Sequence, residues 1–312
     1  MIDVLSTVWN GFPAFLLESS RIRVVIVPQL GAKIVSLFDK AHQYEWLVSP
    51  MRVPVQTSYG ADFVSQDMSG WDEMFPTITS VVFDGLSLPD HGEVWSIPWK
   101  VEEGTGNNVV LSVAGTAMPY HLTRSASLAT EDCLKLRYTL THTGKNPFPY
   151  LWAAHPQFNA DEQTRIVLPP EAPHVVNVIE KDANWGSAGN LHDWPRAVAA
   201  DGQLWNLDRV RPAENRSCRK FYIPPTQPVA WAALNHEGLK CQLRLDWSAI
   251  DLPFLGIWVD EGLVNSRSVV AFEPSNGYYD SLERAVINKQ APVLMPGIDQ
   301  TWDLSISFRD LE

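Results

Sequence analysis

The sequence predicts an all-β protein with few short helices, and three observations support this prediction. Along several segments, apolar and polar residues alternate with the two-residue period of a half-buried strand. Clusters of Gly, Asn and Pro separate these segments, as turns do. The 312 residues include 23 prolines and 18 glycines spread along the chain, which leaves few windows for a helix of ordinary length. Many strands and almost no helix are typical of a β-sandwich or a β-barrel.

Individual elements follow from these patterns. Strands are predicted where the alternation is clearest, at 134–141, 239–247 and 302–308. Turns are predicted at the polar and glycine-containing clusters 103–108, 143–147 and 235–238. The best helical candidate is short, at about 280–288.

Length and composition predict one large domain rather than two average ones. No shift in composition marks a linker, and no repeat of fixed period occurs. The most polar stretch, 180–219, is interpreted as a long loop region within that domain. We therefore expect a single β-sandwich domain over residues 1–312.

Charge, hydropathy and cysteine content argue against binding to nucleic acid or membranes and against a disulfide-rich or zinc-finger fold. The 24 basic and 36 acidic residues give a net charge of −12, which disfavours binding to nucleic acid or to an anionic membrane. No apolar run approaches the roughly 20 residues of a membrane-spanning helix. The first residues lack the pattern of a secretory signal, and three widely spaced cysteines indicate neither a disulfide framework nor a zinc finger. We expect a cytoplasmic protein.

Two residues suited to acid–base chemistry, His155 and Glu273, each come directly before a proline. The residue before proline adopts extended backbone, so both should lie near strand ends. Ala153 and Ala271, two residues earlier on the same faces, would leave open volume beside them. A base and an acid facing one concave space could perform general acid–base catalysis. Solvated residues at strand ends would give the same local pattern.

A third segment, Leu88–Trp95, contains His91 followed by Gly92. The glycine allows a tight turn or the close approach of a ligand, although an ordinary loop histidine is the simpler interpretation. The 13 tryptophans are compatible with sugar binding, because indole faces stack on the C–H faces of sugar rings, but most must pack the core. Those near the candidate segments are Trp71, Trp95 and Trp258.

Motifs of several other enzyme classes do not occur. The sequence contains no phosphate-binding loop, dinucleotide-binding glycine motif, nucleophile elbow or zincin helix. His91, His155 and Glu273 could form the two-histidine-one-carboxylate set that holds Fe(II) on a cupin-like barrel. Cupin-type sites usually place two ligands close together on one hairpin, and no H-x-H occurs here.

At these residues the chain resembles the aldose 1-epimerase (galactose mutarotase-like) superfamily. The resemblance implies a large antiparallel β-supersandwich with a sugar site on its concave face. The similar segments, in family order, are Gly31–Leu37, Ser69–Pro76, His91–Gly92, His155–Phe158, Glu273–Pro274, Asp280–Leu282 and Leu294–Gly297.

The resemblance also implies an activity, the cofactor-independent interconversion of the α and β anomers of a free sugar. Glu273 would be the general base that takes the proton of the anomeric hydroxyl, and His155 the general acid that protonates the ring oxygen. The ring opens, the C1–C2 bond rotates, and reclosure reverses the two roles. His91, Asp72 and Trp258 would contact the sugar, and no metal is implied. A sugar-binding protein without catalysis is the alternative on the same scaffold.

The chain departs from the family pattern in two places. Many members continue the His-Gly segment with Phe-Ala-Arg, whereas this chain has Glu93–Trp95. A basic contact to substrate is thereby lost and an acidic one is expected, which disfavours a phosphorylated sugar. The substrate-orienting aspartate of galactose-active members has no clear match, and Asp246, Asp251 and Asp260 are all nearby in sequence.

Overall fold

The computed structural model describes residues 3–312 and confirms the all-β prediction. Strands make up 49% and helices only 4% of the structure. One α-helix, α1 (Leu282–Ile287), and two single 3₁₀ turns, Pro28–Leu30 and Ala213–Asn215, occur among these residues. No helix in this part of the chain has the length and apolar character needed to cross a membrane.

The strands are numbered in chain order. Those of the first half are β1 (Asp3–Trp9), β2 (Phe12–Glu18), β3 (Ile22–Val27), β4 (Lys33–Asp39), β5 (Tyr44–Glu45), β6 (Trp71–Met74), β7 (Val81–Phe83), β8 (Leu86–Leu88), β9 (Lys100–Thr105), β10 (Asn108–Ala114), β11 (Tyr120–Thr130), β12 (Cys133–His142), β13 (Phe148–Pro149) and β14 (Ala153–Pro156). Those of the second half are β15 (Phe158–Asn159), β16 (Thr164–Val167), β17 (His174–Asn177), β18 (Leu191–Asp193), β19 (Arg196–Val198), β20 (Leu204–Asn206), β21 (Ser217–Tyr222), β22 (Trp231–His236), β23 (Cys241–Trp247), β24 (Phe254–Glu261), β25 (Ser268–Ser275), β26 (Val293–Leu294) and β27 (Gln300–Asp310).

Two large antiparallel sheets form a sandwich. The first has thirteen strands in the order β1-β2-β3-β4-β6-β14-β25-β24-β21-β17-β18, with β5 beside β4 and β15 beside β25. The second has eight strands in the order β16-β22-β23-β27-β12-β11-β10-β9. Both sheets have edge strands, so the structure is a sandwich and not a closed barrel. Three two-stranded ribbons, β7–β8, β13–β26 and β19–β20, complete the fold.

The strongest sequence patterns predict their elements to within a few residues. Segment 134–141 lies in β12 and segment 302–308 lies in β27. Segment 239–247 forms β23 only from Cys241, because Lys240 has a φ of 54° and belongs to the preceding turn. The predicted helix is shorter than expected, and its first turn is capped by the Ser281 side chain, which accepts a hydrogen bond from the backbone N–H of Arg284.

The segment 180–219 consists mostly of loop, as predicted, but it is not loop throughout. The segment contains β18, β19, β20 and the start of β21. Trp185 within it is buried and packs edge-to-face on Trp205 and Phe221. The many polar residues conceal these short strands because only a few side chains in each face the interior.

A buried ion pair joins the two sheets. Arg124 on β11 donates to Glu73 Oε1 on β6 over 2.8 Å, and the Tyr138 hydroxyl on β12 donates to the same oxygen over 2.8 Å. Arg124 also donates to the carbonyl of Ala32. Glu73, Arg124 and Tyr138 are almost completely excluded from solvent. Burial of the two charges makes each dependent on the other, because an isolated charge in such a position is strongly unfavourable.

Candidate functional site

The centre of the thirteen-stranded sheet brings the predicted catalytic pair to one face. Ala153 on β14 is paired with Ser275 on β25, and His155 and Glu273 each lie two residues from these partners. Directly paired residues and residues two apart project from the same side of a sheet. His155 is also paired with Asp72 on β6, which places Asp72 on that face too.

The next two strands extend this face. Trp258 on β24 is paired with Lys220 on β21, and Gly256 is paired with both Glu273 and Tyr222. A Cβ at Gly256 would lie 3.2 Å from Glu273 Oε2 and 3.1 Å from the Tyr222 ring. The glycine therefore leaves the space that these two larger side chains occupy. Lys220 and Tyr222 are site residues that the sequence analysis missed.

Aromatic rings from loops cover His155. The Phe63 ring stacks on His91 with centroids 3.8 Å apart, and it meets His155 edge-on at 5.3 Å. The rings of His91 and His155 are 5.2 Å apart, and that of Trp258 is 6.1 Å from His155. Asp90 orients His91 through a contact of 2.9 Å to Nδ1. Phe63 was also missed, since its only sequence signal is an aromatic residue within a mainly polar segment.

Glu273 is fully buried and carries an ion pair. Its Oε2 lies 2.7 Å from Lys220 Nζ, which is also 2.9 Å from Asp280 Oδ2. The Tyr222 hydroxyl donates to Asp280 Oδ1 over 2.6 Å. Burial raises the pKa of Glu273, and the Lys220 ammonium opposes that shift by favouring the carboxylate. Within residues 3–312 neither Glu273 oxygen has a hydrogen bond of normal geometry, so the contact of Oε2 with Lys220 is an ion pair.

His155 is buried as well, with 5% of its surface exposed. Burial lowers its pKa well below 6.5, and the nearby charges of His91, Lys220 and Lys33 lower it further. The buried environment therefore disfavours the imidazolium form of His155. Because both residues are buried, the interpretation of His155 and Glu273 as solvated strand-end residues is wrong, and no part of Glu273 is exposed to solvent.

Asp72 lies next to His155 but its carboxylate is directed at Lys33. The Lys33 Nζ is 3.1 Å from Asp72 Oδ2 and donates to the carbonyls of Asp67 and Ser69 over 3.0 Å each. Burial raises the pKa of Asp72 to about 6, with Lys33 opposing the shift. The arrangement places a carboxylate and an ammonium beside His155, both of them already paired.

The acidic contact expected from Glu93 is a misprediction. Glu93 is fully buried and accepts hydrogen bonds from the backbone N–H groups of Thr116 and Ala117 and from the Tyr120 hydroxyl. Its carboxylate therefore fixes a turn between strands and is unavailable to a ligand. The Phe-Ala-Arg segment is replaced here by a structural anchor.

The three aspartates considered from the sequence have other environments. Asp260 accepts hydrogen bonds from the backbone N–H groups of residues 263–265, Asp246 is bound by Arg244, and Asp251 is exposed. The aspartate that shares a lysine with Glu273 is Asp280. It lies in a segment that the family resemblance covers, but nothing in the sequence indicates that it faces Lys220.

Gly92→Ala is expected to displace the turn that carries His91. Gly92 has a φ of 71°, and a Cβ there would overlap with the backbone of Phe75. Gly85→Ala is the matched control, because Gly85 has a φ of 78° but open space around a Cβ. We expect thermal unfolding to show that Gly92→Ala loses clearly more folding stability than the roughly 1 kcal/mol of conformational strain that both substitutions introduce. Equal losses would contradict the close approach of this turn to Phe75.

The two-histidine-one-carboxylate hypothesis has no geometric support. In the described chain, one group of three potential ligands has all its ligand atoms within 4.8 Å of one another, and it is Asp39, His42 and Cys241. The Arg21 guanidinium already forms an ion pair with this group, because Arg21 Nε lies 3.1 Å from Asp39 Oδ1. His91, His155 and Glu273 do not form a group of this kind.

Comparisons with known proteins identify the fold. No family model matches the sequence, and no curated protein matches it either. A galactose mutarotase-like protein from Lactobacillus casei has a TM-score of 0.69 at 18% identity, covering 95% of this chain and 100% of that one. A galactose mutarotase-like protein from Clostridium acetobutylicum has a TM-score of 0.69 at 12% identity, covering 99% and 98%.

A third structure is a candidate aldose 1-epimerase from Klebsiella pneumoniae. Its TM-score is 0.72 at 14% identity, and the alignment covers 96% of this chain and 80% of that one. At such low identities the shared feature is the arrangement of strands. The resemblance is therefore supported at the level of architecture: this chain has the galactose mutarotase-like β-sandwich fold.

Proposed function

We propose that this protein is a sugar mutarotase that interconverts the α and β anomers of a free sugar. The observation that carries the proposal is the placement of His155 and Glu273 on one face of the central strands, with Trp258 beside them. A carboxylate and an imidazole on one face can serve the two proton transfers of ring opening. The likeness to galactose mutarotase-like proteins supports the proposal.

The chemistry needs one proton shared by the pair. Glu273 Oε1 takes the proton of the anomeric hydroxyl, and the electrons of that O–H bond form the C1=O bond. The C1–O5 bond breaks, and O5 takes a proton from protonated His155. Rotation about C1–C2 then exposes the other face of the aldehyde, and reclosure reverses each transfer. The protein returns to its starting state without a cofactor.

Burial favours this proton exchange. In water the reference pKa values of about 4.3 for Glu and 6.5 for His favour a carboxylate with an imidazolium. In this site burial raises the pKa of Glu273 and lowers that of His155, so the charged pair is disfavoured. Ring opening converts that charged pair into a neutral acid and a neutral imidazole. The buried environment therefore assists the step that breaks the C1–O5 bond.

The remaining predicted residues take different roles in the proposal. Trp258 is half-buried and offers an indole face close to His155, which suits stacking on a sugar ring. His91 is oriented by Asp90 and would donate to or accept from a sugar hydroxyl. Asp72 would act through Lys33 and the neighbouring His155 rather than by direct contact, because its carboxylate is buried.

The charges around the pair favour a neutral sugar. Lys220 is paired with Glu273 and Asp280, and Lys33 is paired with Asp72. Neither ammonium is free to bind a phosphate or a carboxylate of the substrate, and the surplus carboxylates repel anions. We therefore expect acceleration of neutral aldoses or deoxy sugars, and at most a small effect on uronates and hexose 6-phosphates.

Anomer exchange measured by saturation-transfer NMR tests both the activity and the substrate class. The panel consists of neutral aldoses, deoxy sugars, uronates and hexose 6-phosphates, each with and without a catalytic amount of protein. Faster exchange for a neutral sugar supports the proposal, whereas faster exchange for the anionic sugars alone would contradict the charge argument. Sugar-dependent stabilisation without faster exchange would favour the non-catalytic sugar-binding alternative.

A further inference from the structure

Lys220 lies between two carboxylates in the candidate site. Its Nζ is 2.7 Å from Glu273 Oε2 and 2.9 Å from Asp280 Oδ2, and its side chain is 12% exposed. The Tyr222 hydroxyl holds the other oxygen of Asp280 over 2.6 Å. An ammonium has three N–H donors, so one lysine can serve both acids. The group is a continuous chain of contacts that ends at Glu273.

We propose that Lys220 is a positioning residue, which fixes Oε2 of Glu273 and leaves Oε1 as the oxygen that accepts the proton of the substrate. Within the described chain neither oxygen of Glu273 has a hydrogen bond of normal geometry, but the Lys220 ammonium lies 2.7 Å from Oε2, so the two oxygens are in different environments. The contact itself is a feature of the structure, whereas its consequence for catalysis rests on the proposed function. In this arrangement Lys220, on β21, determines which oxygen of Glu273 acts as the base.

The charge balance at Glu273 depends on two neighbours with opposite effects. Lys220 favours the ionised carboxylate, and Asp280 disfavours it through like-charge repulsion. Their effects are superimposed on burial, which raises the pKa of Glu273. The titratable groups that face Glu273 from the surrounding elements are Lys220 and Tyr222 on β21, Asp280 after β25, His155 on β14 and His91 in the covering loop.

Carboxyl titration tests the role of Lys220 without any assumption about activity. In protein labelled with ¹³C at the glutamate side-chain carboxyl, the Glu273 signal is the one that disappears in Glu273→Gln. We expect Lys220→Met to move its titration midpoint upward by about 1–3 pH units, because an opposite charge at this distance is removed. Asp280→Asn should move it downward, because a like charge is removed. Lys220→Arg keeps the charge and is the matched control for the loss of the lysine side chain.

Opposite shifts in two variants cannot arise from a general loosening of the site. Asp280→Asn keeps the backbone carbonyl that accepts hydrogen bonds from Ile78 and Thr79, so the local turn is retained. This variant keeps the test decisive even if Lys220→Met fails to fold. A midpoint that stays in place in Asp280→Asn and in a folded Lys220→Met would overturn the inference.

The pH dependence of anomer exchange links the contact to catalysis. Exchange should be lost on the alkaline side when the catalytic pair gives up its single shared proton. We expect this alkaline limb to move upward in Lys220→Met and downward in Asp280→Asn, following the carboxyl midpoints. If the carboxyl midpoints shift in the two variants but the wild-type protein accelerates no sugar, the positioning of Glu273 is supported and the proposed mutarotation is contradicted. Exchange by the wild type with unmoved limbs in both variants would overturn the positioning role.

Discussion

Replacing Glu273 with glutamine is expected to slow anomer exchange by about 10²–10⁴-fold, the usual contribution of a general acid–base group. The amide has nearly the same shape as the carboxylate but cannot accept the proton of the anomeric hydroxyl. Glu273 is fully buried, so no solvent-exposed base can replace it at the same position. The measurement is the anomer exchange rate by saturation-transfer NMR at equal protein concentrations.

The control for this variant separates chemistry from folding and binding. Lys220 keeps its second partner, Asp280, when Glu273 becomes neutral, so the ammonium remains paired. We therefore expect a cooperative thermal transition and retained chemical-shift changes on sugar addition. Exchange within twofold of the wild-type rate would show that Glu273 is not the base.

Arg124→Met is expected to destabilise the folded state by about 3–5 kcal/mol, the typical effect of breaking a buried ion pair. The substitution leaves Glu73 buried between the sheets without the guanidinium that lies 2.8 Å from its Oε1. The free energy of unfolding is measured by chemical denaturation. Arg137→Met is the matched control, because its partner Asp303 lies on the surface and such pairs contribute about 0–1 kcal/mol.

The loss of folding stability in Arg124→Met should also depend on pH. Burial raises the pKa of Glu73, and without Arg124 nothing of opposite charge counters that shift. A group whose pKa is raised in the folded state stabilises it at low pH and loses this effect as the pH rises through the folded-state pKa. The deficit should therefore be smallest in acid and grow toward neutral pH. A deficit equal to that of Arg137→Met at every pH would contradict the role of the buried pair.

The strands could be predicted from the sequence because alternation reports local burial. The long alternating segments now found in β12 and β27 were recognised within two residues of their ends. His155 and Glu273 were found because each precedes a proline in a segment with a family resemblance. Their common face depends on the pairing of β14 with β25, which joins parts of the chain more than 100 residues apart and has no local signal.

The supporting residues could not be predicted for the same reason. Lys220 follows Arg219 directly, and the two point to opposite faces of β21, where Arg219 binds Glu261 and Lys220 binds Glu273. On β6, likewise, Asp72 faces the candidate site and pairs with Lys33, whereas Glu73 faces the interior and pairs with Arg124. A sequence shows that adjacent charged residues alternate in direction, but the partner of each charge is set by strand register.

The comparison that tests the central claim most directly is anomer exchange of a neutral aldose with wild-type protein and with Glu273→Gln. The two proteins should have the same fold, and only the wild type should transfer saturation between the α and β signals faster than buffer alone. That result would establish mutarotation that depends on the Glu273 carboxylate. Equal exchange with wild type, variant and buffer for every neutral sugar would contradict it.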